Sequence, residues 1–250
     1  MTGIFIIVIG LVIGSFLNVV IYRLPNKLSI VYPERSFCPS CKHKLGILDL
    51  VPVFSWLFLR GRCRYCGEKI SFKYPLVEVI TAVTIYLIYI KYGLTVQALS
   101  YMILMLVLIS EAFIDIDYME INVNILIVGA LLIGLLDIAG ILFNVITIKD
   151  FLNQVYGMLL AFTILLILVL PGWTGGGDLK VAILVGFTIG FQPTIMFLYT
   201  SYFIGGIVSI IMLAFRTKLL KSAIPFVPYL ALGALVSILA WKDLIHYVLG

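Results

Sequence analysis

Apolar runs of roughly 16 to 22 residues recur along the chain, each long enough to cross a hydrocarbon core of about 30 Å as a helix. Eight are predicted, at 3–22, 76–91, 94–114, 121–142, 151–170, 179–196, 198–215 and 224–241. Only one sizeable polar stretch interrupts them, at 23–75. The pattern predicts an all-α polytopic membrane protein with about eight transmembrane helices and a soluble loop between the first two. Three parts are expected: a first transmembrane helix at 1–22, a cysteine module at 23–75 and a transmembrane core at 76–250. No repeat of 20 to 50 residues stands out in the sequence.

Charge gives the runs a sidedness. Met1-Thr2-Gly3 carries no Lys or Arg, whereas Arg23 and Lys27 follow the first run, so that run reads as a retained anchor with its N-terminus outside. Alternation then puts 23–75, 115–120, 171–178 and 216–223 inside. Fourteen basic residues fall inside, Arg35, Arg216, Lys218 and Lys221 among them. Three fall outside, Lys91, Lys149 and Lys242. That asymmetry follows the positive-inside rule and places both termini outside the membrane, with the 23–75 loop in the cytoplasm. Composition agrees, with 63% hydrophobic and 12% charged residues and a mean hydropathy of +1.19. The net charge of +5 reports topology, and no nucleic-acid partner is needed to explain it.

The loop holds all four cysteines, as Cys38-x-x-Cys41 and Cys63-x-x-Cys66. Paired CxxC turns of this kind complete a tetrahedral four-thiolate site, close to the zinc-ribbon pattern, and the expected ligand is a structural Zn²⁺. Two disulfides are the alternative, which a reducing cytoplasm disfavours. A segment of this size buries little core and needs such a staple. His43 beside Cys41 is a possible substitute ligand, though four thiols already suffice.

The acidic residues that stand out lie at the ends of apolar runs. Asp115 and Asp117 close the third, and Asp178 opens the sixth within Gly175-Gly176-Gly177-Asp178. Ionisable groups at membrane-helix ends are candidates for function, although Asp178 also fits the role of an N-cap. Helix parity returns both places to the same face, so two carboxylates can meet there. Two such groups held close share one proton and can act together as base and acid on a peptide. Residues two apart lie on different helix faces, so only one of Asp115 and Asp117 is expected to point inward. Glu111, four residues before Asp115, shares its face and either acts on it electrostatically or satisfies a polar group of a neighbouring helix. No His accompanies a nucleophile in any plausible triad, since His43 lies in the cysteine loop and His246 on the far side. An ion- or proton-coupled transporter using intramembrane carboxylates is the competing reading.

Taken together the motifs resemble the type IV prepilin leader peptidases, membrane aspartic proteases of the GxGD class. The resemblance runs through Gly14-Ser15-Phe16-Leu17-Asn18, Phe37-Cys38-Pro39-Ser40-Cys41, Arg60-Gly61-Arg62-Cys63-Arg64-Tyr65-Cys66, Tyr74-Pro75-Leu76-Val77-Glu78, Ile114-Asp115-Ile116-Asp117 and Gly175-Gly176-Gly177-Asp178. It implies Asp115 and Asp178 as the catalytic pair. It also implies prepilins or pseudopilins as substrates, cut at the cytoplasmic face, and N-methylation of the new terminal residue with S-adenosylmethionine. Asn18 and Glu78, just inside the first two helices, are candidates for contacts to substrate or methyl donor, or else for interhelical hydrogen bonds. The chain departs from the family where Pro-Asp is common, with Asn122-Val123, and where His is frequent, with Tyr118.

Overall fold

The computed structural model describes residues 2–32, 36–215 and 224–249. Arg35, Arg216, Lys218 and Lys221 lie outside the described residues, as do the side chains of Lys242 and His246. The helices are α1 (Thr2–Arg23), α2 (Phe54–Phe58), α3 (Lys73–Tyr92), α4 (Val96–Tyr118), α5 (Val123–Leu142), α6 (Ile148–Val169), α7 (Gly176–Ile189), α8 (Phe191–Ala214) and α9 (Val227–Leu249). A 3₁₀ turn lies at Ile47–Asp49. Among the described residues no strand forms, and β-pairing is confined to two isolated antiparallel bridges, Phe37 with Lys44 and Arg62 with Lys69.

All eight apolar runs are helical. Six of the helices, α1, α3, α4, α5, α6 and α8, are long and apolar enough to cross a membrane, and the chain is a multi-pass membrane protein. α7 has only 14 residues, about 21 Å of helix. The predicted boundary between the sixth and seventh runs, at 196–198, is misplaced. The break falls at Gly190, whose φ of +84° ends α7 in a conformation that residues with a Cβ avoid. Pro193 then sits in the first turn of α8, where its missing N–H costs nothing. The third run extends beyond its predicted end at 114: α4 continues through Asp115 and Asp117 to Tyr118, and Met119 closes it in the left-handed conformation, its N–H on the Asp115 carbonyl at 3.0 Å.

The chain divides into two compact units, Met1–Ile90 and Lys91–Gly250. In the first, α1 and α3 pack backbone to backbone. A Cβ on Gly10 or Gly14 would lie 2.6 or 2.7 Å from the Cα of Ala82 or Glu78, so small residues one turn apart create the seam. The segment between the two helices carries the cysteines.

In the second unit α4 is the central helix, packed on α5, α7 and α9, while α6 packs on α7 and α8, and α8 on α9. Leu104, Leu108 and Ile114 of α4, Ile133 of α5, Val181 and Val185 of α7 and Leu230 of α9 are buried, as are Leu165 of α6 and Phe197 of α8. Contact between α4 and α7 brings the C-terminal end of one helix to the N-terminal end of the other.

Candidate functional site

The carboxylates of Asp115 and Asp178 are each 8% exposed and lie close enough for the charge on Asp115 to act at Asp178. Asp117, two residues on, is exposed. Each buried carboxylate is held by the start of a helix. Asp178 is not the N-cap of α7, which is Gly175, but the third residue of the helix, and its Oδ2 accepts the Gly175 N–H at 3.0 Å. Asp115 sits at the C-terminal end of α4, where the helix dipole disfavours an anion. Its Oδ2, however, accepts the N–H of Val227, the first residue of α9, at 3.0 Å. A positive helix end thus faces each acid.

Further groups surround the pair. Glu111, one turn before Asp115, is fully buried; its Oε2 accepts the Asn122 N–H at 3.0 Å. Phe226 supplies a second backbone donor to Asp115, and its ring lies 4.9 Å from that of Tyr202 on α8. Tyr202 is in turn within electrostatic reach of Asp178. Nothing in the sequence marks Tyr202, Phe226 or Val227, since aromatic and aliphatic residues are common throughout the apolar runs.

In the first unit the sulfurs of Cys38, Cys41, Cys63 and Cys66 all lie within 4.8 Å of one another, with Cys38 Sγ 3.9 Å from Cys66 Sγ. Four thiolates around a metal at about 2.3 Å would stand roughly 3.8 Å apart, so the cluster fits a tetrahedral ion, and these four residues could hold one. His43 is not among the four; its ring lies against that of Tyr65, centroids 3.6 Å apart and the planes tilted by 31°. The thiols are already uneven. The Cys41 N–H is the main influence lowering Cys38, to about 7. At Cys66 the Glu68 N–H acts downward, but desolvation and the three neighbouring sulfurs overrule it and push the thiol up to about 12. Four thiols so close cannot all ionise without a cation between them.

The two knuckles are built alike, at an offset of 25 residues that the sequence does not advertise. The Lys42 N–H bonds to the Cys38 carbonyl at 2.8 Å, and Gly67 to Cys63 at 2.9 Å. Cys38 donates to His43 at 3.0 Å, and Cys63 to Glu68 at 2.8 Å. Leu45 donates to Ser36, and Ile70 to Gly61, both at 2.8 Å. Asp49 braces the module: it accepts from Arg64 Nε at 2.7 Å, from Tyr65 Oη at 3.0 Å and from the Gly46 N–H at 3.0 Å. Burial acts to raise the Asp49 pKa, but these donors outweigh it and hold the carboxyl below its usual range.

A cleft of about 390 Å³ opens beside the knuckles, lined by Asn18, Cys38, Trp56, Tyr74 and Glu78 among others. Asn18 Nδ2 donates to the Tyr74 carbonyl at 3.0 Å, and Glu78 Oε2 accepts the Val53 N–H at 2.7 Å. Both residues therefore hold the wall of the cleft in place.

Fold and site define a polytopic helical membrane protein with two buried acids at one end of its bundle and a separate four-thiol module. The chain belongs to the type IV leader peptidase family. Residues 102–210 match the model of that family, and residues 8–92 match that of the bacterial peptidase A24 N-terminal domain. Among its relatives, the prepilin leader peptidase/N-methyltransferase of Bacillus subtilis is 31% identical, covering 96% of this chain and 95% of that protein. The Myxococcus xanthus protein of the same name is 34% identical over 84% of this chain and 63% of its own length. A type 4 prepilin-like proteins leader peptide-processing enzyme of Escherichia coli is 42% identical over 44% of this chain and 47% of its own. No solved structure gives a significant match.

Proposed function

We propose that the chain is a membrane aspartic endopeptidase. It removes the leader of type IV prepilins or pseudopilins at the cytoplasmic face of the bacterial cytoplasmic membrane, then N-methylates the new N-terminal residue, usually Phe. The observation that carries the hydrolytic part is the burial of Asp115 and Asp178 within electrostatic reach of each other, in a chain whose relatives are named for prepilin processing. One carboxylate, ionised, takes a proton from water as its oxygen bonds to the scissile carbonyl carbon. The other, protonated, donates to the carbonyl oxygen; the C–N bond then breaks and the amine leaves with a proton. The α9 N–H on Asp115 and the Gly175 N–H on Asp178 orient the acids without entering the chemistry.

The fourteen basic residues on one side, against three on the other, favour a cytoplasmic cysteine module. Zn²⁺ is the ion we assign to Cys38, Cys41, Cys63 and Cys66, in a closed structural site. S-adenosylmethionine, when bound, supplies an electrophilic methyl on a cationic sulfonium. The cleft beside the knuckles lies in the size range of small-ligand sites, and a buried carboxylate, Glu78, with the Trp56 ring suits a cation. Asn18 and Glu78 are the residues assigned to the donor.

Cleavage of a purified prepilin in liposomes by wild type, Asp115→Asn, Asp178→Asn and Asp117→Asn tests the reading. Asn keeps a side-chain oxygen that can accept the Gly175 N–H, so Asp178→Asn separates chemistry from the bond that closes the start of α7. Losses of at least about 100-fold in the first two variants, with Asp117→Asn active, are expected. Cleavage by both Asp115→Asn and Asp178→Asn would overturn the aspartic mechanism.

A further inference from the structure

Glu111 has no part in the chemistry just described, yet it is the most deeply buried acid near the pair, at 0% exposure. Its Oε1 is buried without a hydrogen-bond partner, an arrangement that proteins keep only where something offsets it. Its Oε2 accepts the N–H of Asn122, the residue that caps α5 through its own side chain on the Asn124 N–H at 3.1 Å. A helix of this kind normally satisfies its N-cap N–H with a Glu or Gln three residues on. Here that position is Ile125, which cannot accept, and a carboxyl from the preceding helix takes the role.

The turn that Glu111 ties down, residues 119–122, bears on the other acid. Ile121 packs on Gly177, the residue before Asp178, and a Cβ there would lie 2.5 Å from Ile121 Cδ1 and 3.1 Å from Cγ1. The backbone of the Asp178 turn thus rests on the side chain of a turn whose position Glu111 sets. Both ends of this chain of contacts begin on α4, one turn apart, at Glu111 and Asp115.

We propose that Glu111 is a positioning residue. By holding the α4–α5 turn through Asn122, it sets, through Ile121 against Gly177, where Asp178 stands relative to Asp115. The proposal rests on the assignment of those two acids as the reacting pair. It goes beyond that assignment in naming what holds them in register.

The test uses the full-length protein in liposomes with a purified prepilin, and reads kcat and KM separately. Glu111→Gln keeps a carbonyl oxygen for the Asn122 N–H and is expected within about threefold of wild type, with an unchanged pH profile. Glu111→Leu is expected to lower kcat more than tenfold at a KM within twofold, because the acids lose register while the substrate still binds. Gly177→Ala is expected to lower kcat about tenfold, and Ile121→Ala in the same chain to restore most of it by making room. That pair carries the test should Glu111→Leu fail to fold. Wild-type kcat in folded Glu111→Leu, equal losses in Glu111→Gln and Glu111→Leu, or no rescue of Gly177→Ala by Ile121→Ala would each overturn the positioning role. Asp115→Asn and Asp178→Asn, run alongside, separate the two ways of failing. If they still cut, the reacting pair itself is wrong and the proposal falls with it. If they are dead while Glu111→Leu cuts normally, only the role of Glu111 falls.

Discussion

Asp115, near the last residue of α4, accepts a hydrogen bond from the backbone N–H of Val227, the first residue of α9, at 3.0 Å. The bond joins two helices more than a hundred positions apart in sequence, and it offers a way to disturb the acid without touching it. Proline is tolerated at the first position of a helix and has no N–H to give. Val227→Pro is therefore expected to leave α9 in place and keep the Phe226 donor, while lowering prepilin cleavage about tenfold. Initial rates, together with a melting curve within a few degrees of wild type, check this.

The four-thiol module should stand or fall with its ion. The protein as purified is expected to carry about one zinc per chain, and Cys38→Ser or Cys63→Ser, at the two buried ligands, to carry nearly none. Metal analysis of the purified chains decides this. Limited trypsin digestion should then cut the variants at Arg60 and Arg62 far faster than wild type, as it should wild type after chelation.

At one matched position of the paired knuckles a glycine in one stands against a lysine in the other. Gly67 and Lys42 both have positive φ, +73° and +59°, but only glycine adopts it freely. Gly67→Ala is expected to destabilise the module by about 1 kcal/mol. Lys42→Gly should come out near neutral, since the gain in backbone freedom offsets the loss of the Lys42 ammonium over the Phe37 ring at 5.5 Å. Resistance to trypsin, or the zinc-release midpoint in chelator titrations, ranks the two variants.

Asp49 makes the module sensitive to acid. Its folded pKa lies below the unfolded value of about 3.9. Its contribution is therefore present in full above about pH 4 and drains away as pH falls through the folded pKa. At pH 7, Asp49→Asn should destabilise the module by about 1 kcal/mol, the scale of charge-assisted bonds at a partly solvated site. The difference in protease resistance between wild type and variant should shrink as the pH falls below about 4 through the folded pKa; a difference that acid leaves unchanged would show that the carboxylate charge is not what braces the module.

Much of this architecture was legible because burial in lipid demands long apolar runs, and eight of them became eight helices. The boundary at Gly190 was not, because 181–199 is almost uniformly apolar and hydropathy carries no mark of a turn; only a glycine and a following proline betray it. The cysteine cluster was legible from spacing alone. Its internal duplication was not, because it resides in main-chain hydrogen bonds, and residues 36–45 and 61–70 share little beyond their cysteines and one lysine. Helix parity placed Asp115 and Asp178 at a common end, and packing of α4 on α7 brings them there. What parity could not supply was the company they keep. The N–H of Val227 belongs to the main chain and carries no signature in side-chain identity. The partner of Glu111, a backbone amide eleven residues on, is set by how the α4–α5 turn folds back.

The brevity of α7 has a consequence for the lipid around it. Fourteen residues span about 21 Å where the hydrocarbon is about 30 Å thick. The bilayer alongside must pinch inward, or headgroups and water must follow the helix end down. Asp178 stands in the first turn of that helix, so the depth of the acid is tied to a helix shorter than the layer around it.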